Sequence, residues 1–355
     1  MKTLALTMIA RNEEAVLSRC LESARNLVDE IILVDTGSTD DTKQIAHSFG
    51  AKVYDWTWNQ NFSDARNAAL EHSSCDWNLV LDADEYINND CEDALRQFIH
   101  QGDRIGKIKL VNQFLDNGNI LSYAQCFISR LFPSGLRYEG RIHEQIISDL
   151  PRATIPVEVQ HDGYMKPKSD RNIPILELEI QKHPNDSYYH YQIAKEYRGI
   201  DDHLQAYHHL KKAYALLTKQ ESYSPNVIVN LLYEIIAIDR LEEGLPIVRK
   251  EQRFLHDFAD FQFVCGIFYM KLILGNTAKY IDLFPLIEES YLKCLQIGET
   301  DRYDNVIGTG SFTALHNLGS FYEVTGKLDK AKHCYQEAAA LGYEPSRMRL
   351  QQLRL

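Results

Sequence analysis

The stretch Trp77-Asn78-Leu79-Val80-Leu81-Asp82-Ala83-Asp84-Glu85 drives an apolar strand straight into three carboxylates. Strands usually end in turn residues, and acids packed this closely repel one another unless positive charge sits among them. A hard divalent ion such as Mg²⁺ or Mn²⁺, shared with a diphosphate, is the natural counter-charge. The competing reading is a solvated acidic turn ahead of a helix, and the DxD spacing alone does not separate the two.

Upstream, strand and helix signals alternate. Segments 4–9, 30–34, 51–54 and 77–81 read as strands, and 13–27, 42–49 and 62–72 as helices. Between them, Asp35-Thr36-Gly37-Ser38-Thr39-Asp40-Asp41 is a turn whose last acids can cap the following helix. This alternation predicts a parallel sheet with helical crossovers, in which ligands bind outside the carboxyl ends of the strands. Three of those ends carry distinctive polar sequence: Ala10-Arg11-Asn12-Glu13, Asp35-Thr36-Gly37-Ser38 and Asp82-Ala83-Asp84-Glu85.

Composition narrows what such a sheet can bind. Before Gly102 only Gly37 and Gly50 occur, so neither a GxGxxG turn nor a GxxxxGK[ST] loop is present to cradle phosphates. A metal on carboxylates is the device left for a phosphorylated nucleotide. Asp35 is placed to accept hydrogen bonds from a base or ribose, or else to serve only the helix-entry turn. The net charge of -12 argues against nucleic-acid or anionic-membrane partners. Seven cysteines without a CxxC pair read as reduced thiols in a cytoplasmic protein. The apolar run after Lys2 stops at Arg11, so a first strand is expected rather than a leader, and no segment reaches the length of a transmembrane helix. A chain of 355 residues should hold about two domains.

Taken together, Ile9-Ala10-Arg11-Asn12-Glu13-Glu14, Val34-Asp35-Thr36-Gly37-Ser38-Thr39-Asp40-Asp41-Thr42, Phe62-Ser63-Asp64-Ala65-Arg66-Asn67 and Leu81-Asp82-Ala83-Asp84-Glu85 resemble, in order, the motifs of family 2 glycosyltransferases with the GT-A fold. The resemblance implies a nucleotide-sugar donor, such as UDP-glucose or a UDP-N-acetylhexosamine, and a divalent metal, Mg²⁺ or Mn²⁺. By that likeness Asp35 contacts the base, Asp82 serves the ribose side and the metal, and Asp84 is the direct metal ligand. Asn12 joins the donor-binding set, and Arg66 supports the diphosphate or the Asp35 region; a structural ion pair is the rival role for Arg66.

The segment 104–160 is richer in strand signals and contains Arg130-Leu131-Phe132, Tyr138-Glu139-Gly140-Arg141-Ile142-His143-Glu144 and, just beyond, His161-Asp162-Gly163-Tyr164. His143-Glu144 is no HExxH zinc motif, because Ile147 stands where the second histidine would be. These patterns resemble the bacterial subgroup in which a family 2 domain precedes tetratricopeptide repeats. Within that likeness Glu144 is the candidate catalytic base, His161 a third contact to metal or diphosphate, and Tyr164 part of a closing loop. Inverting transfer needs a base for the acceptor proton and a counter-charge for the departing diphosphate. Glu139 and Asp64 are the rival bases.

After Pro167 amphipathic helices take over. Ile193-Ala194, Tyr197, Ala206, Leu210 and Ala213 occupy the same offsets as Leu318-Gly319, Tyr322, Ala331, Tyr335 and Ala338, the spacing of a helix-turn-helix repeat. Gly244 and Gly266 fall at repeat-like places between them. Three or four imperfect repeats are expected, with Tyr188-Tyr189-His190-Tyr191 as core or groove. The expected organisation is a GT-A α/β domain over 1–166 and an all-α tetratricopeptide-like domain over 167–355. Within the subgroup the chain resembles enzymes that glycosylate cysteine or serine side chains of bacteriocin peptides. A polysaccharide or lipid-linked acceptor is the alternative, an inactive domain on a repeat scaffold is the non-enzyme reading, and homodimerisation is the other role open to the repeats.

Overall fold

The computed structural model describes residues 2–115, 120–161 and 168–353. Tyr164 therefore lies outside the described residues. The chain divides into two compact units, Met1–Glu179 and Ile180–Leu355.

The first unit is built on β1 (Leu4–Ala10), α1 (Leu17–Ala24), β2 (Glu30–Asp35), α2 (Thr42–Ser48), β3 (Lys52–Asp55), α3 (Phe62–His72), β4 (Trp77–Val80), β5 (Glu85–Ile87), α4 (Glu92–His100), β6 (Ile105–Leu115), β7 (Leu121–Pro133), β8 (Tyr138–Glu139), β9 (Gln145–Ile146), β10 (Arg152–His161) and α5 (Ser169–Lys182). Its main sheet runs in the order β3-β2-β1-β4-β7-β6-β10-β5, and β8 and β9 form a separate ribbon. The expected parallel arrangement holds for β3, β2, β1 and β4. Beyond them β7 pairs antiparallel with β4, so the sheet is mixed. Strand alternation explains why both faces are covered. Leu4, Leu6, Met8, Ile31 and Leu33 pack toward α1 and α4, whereas Ile32 and Val34 pack against Ala68 and Ala69 of α3.

The helix expected over 13–27 is confined to α1. Glu13 and Glu14 instead turn, because their backbone amides donate to Thr42 Oγ1 at 2.8 Å and Asp40 Oδ2 at 3.2 Å across the β2–α2 loop. Asp40 also accepts from the Thr42 amide, so it caps α2 in place of Asp41.

The second unit is helical: α6 (Ser187–Gly199), α7 (His203–Leu216), α8 (Ser224–Ala237), α9 (Leu241–Glu251), α10 (Ala259–Gly275), the short α11 (Thr277–Tyr280), α12 (Pro285–Ile297), α13 (Phe312–Val324), α14 (Leu328–Ala340) and α15 (Glu344–Gln352). The repeat positions are where helices meet most tightly. A methyl group on Gly319 would come within 2.8 Å of the Tyr335 ring, one on Gly266 within 2.7 Å of Tyr291, and one on Gly244 within 2.5 Å of Phe268. Glycine is what lets the rim of an aromatic ring from a later helix come this close to the backbone. In the Tyr188-Tyr189-His190-Tyr191 run, His190 and Tyr191 are buried while Tyr188 and Tyr189 are half-buried.

A second regularity runs through the helices. One glutamate accepts from a tyrosine hydroxyl on another helix and pairs with a nearby lysine or arginine. Glu243 does so with Tyr207 and Lys211, Glu251 with Tyr214 and Lys219, and Glu242 with Tyr280 and Lys279. Glu288 holds Tyr322 and Lys327, and Glu323 holds Tyr335 and Arg349. Among the described residues no helix is long and apolar enough to cross a membrane.

Candidate functional site

Since β2, β1 and β4 are parallel neighbours, their carboxyl ends bring Asp35, Asn12 and Asp82 to one edge of the sheet. Asp35 is buried there. Its Oδ1 accepts from the amides of Gly37 at 3.0 Å and Ser38 at 2.8 Å, the turn role, while Oδ2 is buried with no partner among the described residues. A buried carboxylate oxygen left without a donor costs about 1–3 kcal/mol, which a ligand N–H or O–H would recover. Asn12 locks the adjoining loop: its amide donates to Ser38 Oγ and its Oδ1 accepts from the Thr39 amide, both from a left-handed backbone with φ of 57°. Strain of this kind persists where the surrounding structure over-determines it, and His143, with φ of 53°, repeats it beside Glu144.

Arg66 and Arg130 are the hub of the acidic run. From α3, Arg66 donates through Nη2 to Asp82 Oδ1 at 2.7 Å and through Nε to Glu144. From β7, Arg130 donates through one nitrogen to Asp82 Oδ2 at 2.8 Å and to Glu85 at 3.2 Å. Burial alone would raise the Asp82 carboxyl, but the two guanidinium charges hold it well below the ordinary range. For Glu85 burial prevails and pushes its carboxyl up despite Arg130. Tyr138, whose ring lies 5.7 Å from the Arg66 guanidinium, is pushed up to about 12 by burial.

Asp84 faces a different set. Its Oδ2 lies 2.9 Å from Lys168 Nζ, just ahead of α5, and 3.5 Å from His161 Nε2 at the end of β10. The Nδ1 of that imidazole is 2.8 Å from Asn112 Oδ1, which fixes the ring. Burial opposes ionisation of Asp84, yet the hydrogen bond and charge of His161, with the charge of Lys168, hold it at about 2. Glu13 is raised by burial and by the nearby Asp84 charge.

The expected residues thus fall into three groups: Asn12 with Asp35, Asp82 with Arg66 and Glu144, and Asp84 with His161. Both oxygens of Asp82 are held by guanidinium groups, whereas Asp84 Oδ2 is held by the Lys168 ammonium and lies near the His161 imidazole. Among the described residues no group of three or more acidic, histidine or cysteine side chains converges to hold a metal. Of the rival bases, Glu139 is exposed on β8 and Asp64 accepts from Asn59 Nδ2 at 2.7 Å. Arg130 and Lys168 are the partners that the sequence does not single out. Arg130 lay in a quoted motif, but only the antiparallel register, Leu79 opposite Leu131, carries it to the acidic end of β4.

Comparison with known proteins agrees with this layout. Residues 6–145 match the family model described as glycosyl transferase family 2. A TPR repeat-containing protein of Synechococcus elongatus is 31% identical over 265 residues, covering 69% of this chain and 64% of its own length. The SPbeta prophage-derived glycosyltransferase SunS of Bacillus subtilis is 26% identical over 234 residues, covering 59% of this chain and 53% of the relative. An uncharacterized glycosyltransferase of Rickettsia typhi is 37% identical over 108 residues, covering 29% of this chain and 36% of the relative. The chain therefore spans less than two thirds of the length of each of these relatives. It carries a family 2 glycosyltransferase domain of the GT-A type, followed by helical repeats of the tetratricopeptide kind.

Proposed function

We propose that the chain transfers a hexose, with inversion, from a UDP-sugar to a cysteine or serine side chain of a peptide, and that residues 1–166 are its catalytic domain. The observation that carries this reading is the Arg66 fork, which ties Asp82 at the DxD to Glu144 from the acceptor-side segment. In the proposed mechanism Asp35 receives the base through its spare Oδ2, and Asp82, pinned by Arg66 and Arg130, presents a fixed edge to the ribose side. Glu144 takes the acceptor proton as the thiol sulfur or hydroxyl oxygen attacks the anomeric carbon from the face opposite the diphosphate, whose bond to that carbon breaks with its electron pair staying on the diphosphate. Pairing with Arg66 sets where that carboxylate points. Asp84 and His161 suit a divalent cation, since a carboxylate oxygen and an oriented imidazole are ordinary ligands for Mn²⁺ or Mg²⁺ and the diphosphate and water complete the shell. Such a cation would offset the charge growing on the leaving diphosphate.

The test is mass spectrometry of cysteine- and serine-containing peptides incubated with the protein, Mn²⁺ and a panel of sugar nucleotides. A peptide mass raised by one hexose unit, lost in Asp84→Asn, is the expected result. Transfer only to polysaccharide or lipid-linked acceptors would replace the peptide assignment, and full activity in chelator would remove the cation.

A further inference from the structure

Two kinds of cation sit on the DxD. Asp82 is held by Arg66 and Arg130, whose side chains are only 8% and 13% exposed and whose planar forks are fixed by several partners. Asp84 is held by Lys168, whose side chain is 42% exposed and carries its ammonium on a flexible four-carbon stem. The Lys168 backbone is anchored, because its carbonyl accepts from the amides of Arg171 and Asn172 at 3.1 Å in the first turn of α5. The ammonium can therefore move while its root stays beside the site. A divalent ion on Asp84 Oδ2 and an ammonium 2.9 Å from the same oxygen cannot coexist without strong repulsion in partly buried surroundings.

Resting on the assignment of Asp84 as cation ligand, we propose that Lys168 is a built-in counter-ion. It occupies Asp84 before the donor binds, excludes a lone divalent cation, and turns to the diphosphate when cation and nucleotide arrive together. Arg171, whose charge acts on Glu13 as that of Lys168 does, adds positive charge beside which the released ammonium can meet phosphate oxygens. The lysine thus couples the two ligands, each binding well only with the other.

The test measures Mn²⁺ binding by electron paramagnetic resonance on the whole chain, with and without UDP, in the parent, Lys168→Met and Lys168→Arg. The parent should bind Mn²⁺ weakly alone and on the order of tenfold more tightly with UDP. Lys168→Met should bind Mn²⁺ alone about tenfold more tightly than the parent and lose most of the gain from UDP, while Lys168→Arg keeps the parent's pattern. Equal Mn²⁺ affinity in parent and Lys168→Met, or an unchanged gain from UDP, overturns the lysine's role. If Mn²⁺ binds no form under any condition, or binds Asp84→Asn as it binds the parent, the cation assignment of Asp84 fails first and takes the inference with it.

Discussion

Arg66 shows how one side chain can organise a site whose parts lie far apart in sequence. Its guanidinium reaches Asp82 after β4 and Glu144 before β9, so carboxylates from two distant segments share a single rigid fork. If Glu144 is the base, Glu144→Gln keeps a hydrogen-bonding partner for Arg66 but removes the proton acceptor. Turnover should then fall by a factor on the order of 10² to 10⁴ with UDP affinity nearly unchanged, as calorimetry beside steady-state rates will show. A large loss of nucleotide affinity with normal turnover would instead make Glu144 structural and return the role to Asp64 or Glu139. At this scale the sequence was informative where residues lie in contiguous motifs, as at Asp35, Arg66, Asp82 and Asp84. It was silent on Arg130 and Lys168, because their partners are chosen by strand register and helix docking rather than by neighbours in the chain.

Among the acids buried in the helical elements, Asp260 has a measurable consequence. Asp260, at the start of α10, accepts from Thr309 Oγ1 and from the Val306 amide at 2.9 Å, which ties the loop ahead of α13 to α10. Burial pushes its carboxyl up to about 7. The folded state therefore binds this proton more tightly than the unfolded chain, whose aspartate has the ordinary value near 3.8. Its contribution is greatest at low pH and is lost as pH rises from about 4 to about 7, at up to roughly 1.4 kcal/mol per pH unit. Asp260→Asn should remove that slope: thermal melts of parent and variant, compared across this window, should converge in their pH dependence above about 7. Identical slopes in both would show that Asp260 does not titrate there. Sequence gave no warning of this group, since an aspartate beside Ala259 reads as an ordinary first-turn acid of a helix. By contrast the small residues at Gly244, Gly266 and Gly319 announced the helix contacts correctly, because close approach has a direct signature in residue size.

For the whole molecule, the last strand of the sheet, β10, ends at His161 and α5 begins at Ser169, after which the chain is mainly helical. Periodicity could not show that β7 would enter antiparallel next to β4, since that pairing joins segments about fifty residues apart, at Trp77 and Pro133. If the repeats select the acceptor, substitutions there should leave donor chemistry alone. Tyr189→Ala, at a half-buried ring of α6, should retain UDP affinity and slow donor hydrolysis while transfer to peptide falls at least about tenfold, with the melting temperature checked in parallel. Unchanged peptide transfer would favour association of two copies as the purpose of the helices. The glutamate clasps between neighbouring helices also determine how this unit fails. Each clasp spans only one or two elements, so disorder entering at α15 is resisted first by Glu323, which holds α14 and α15 to α13, and then, farther in, by Glu288. A chain pulled from its C-terminal end should therefore unravel in steps, like a zip with separate teeth, and removing Glu323 should lower the first of those steps while leaving the force needed for the later ones unchanged.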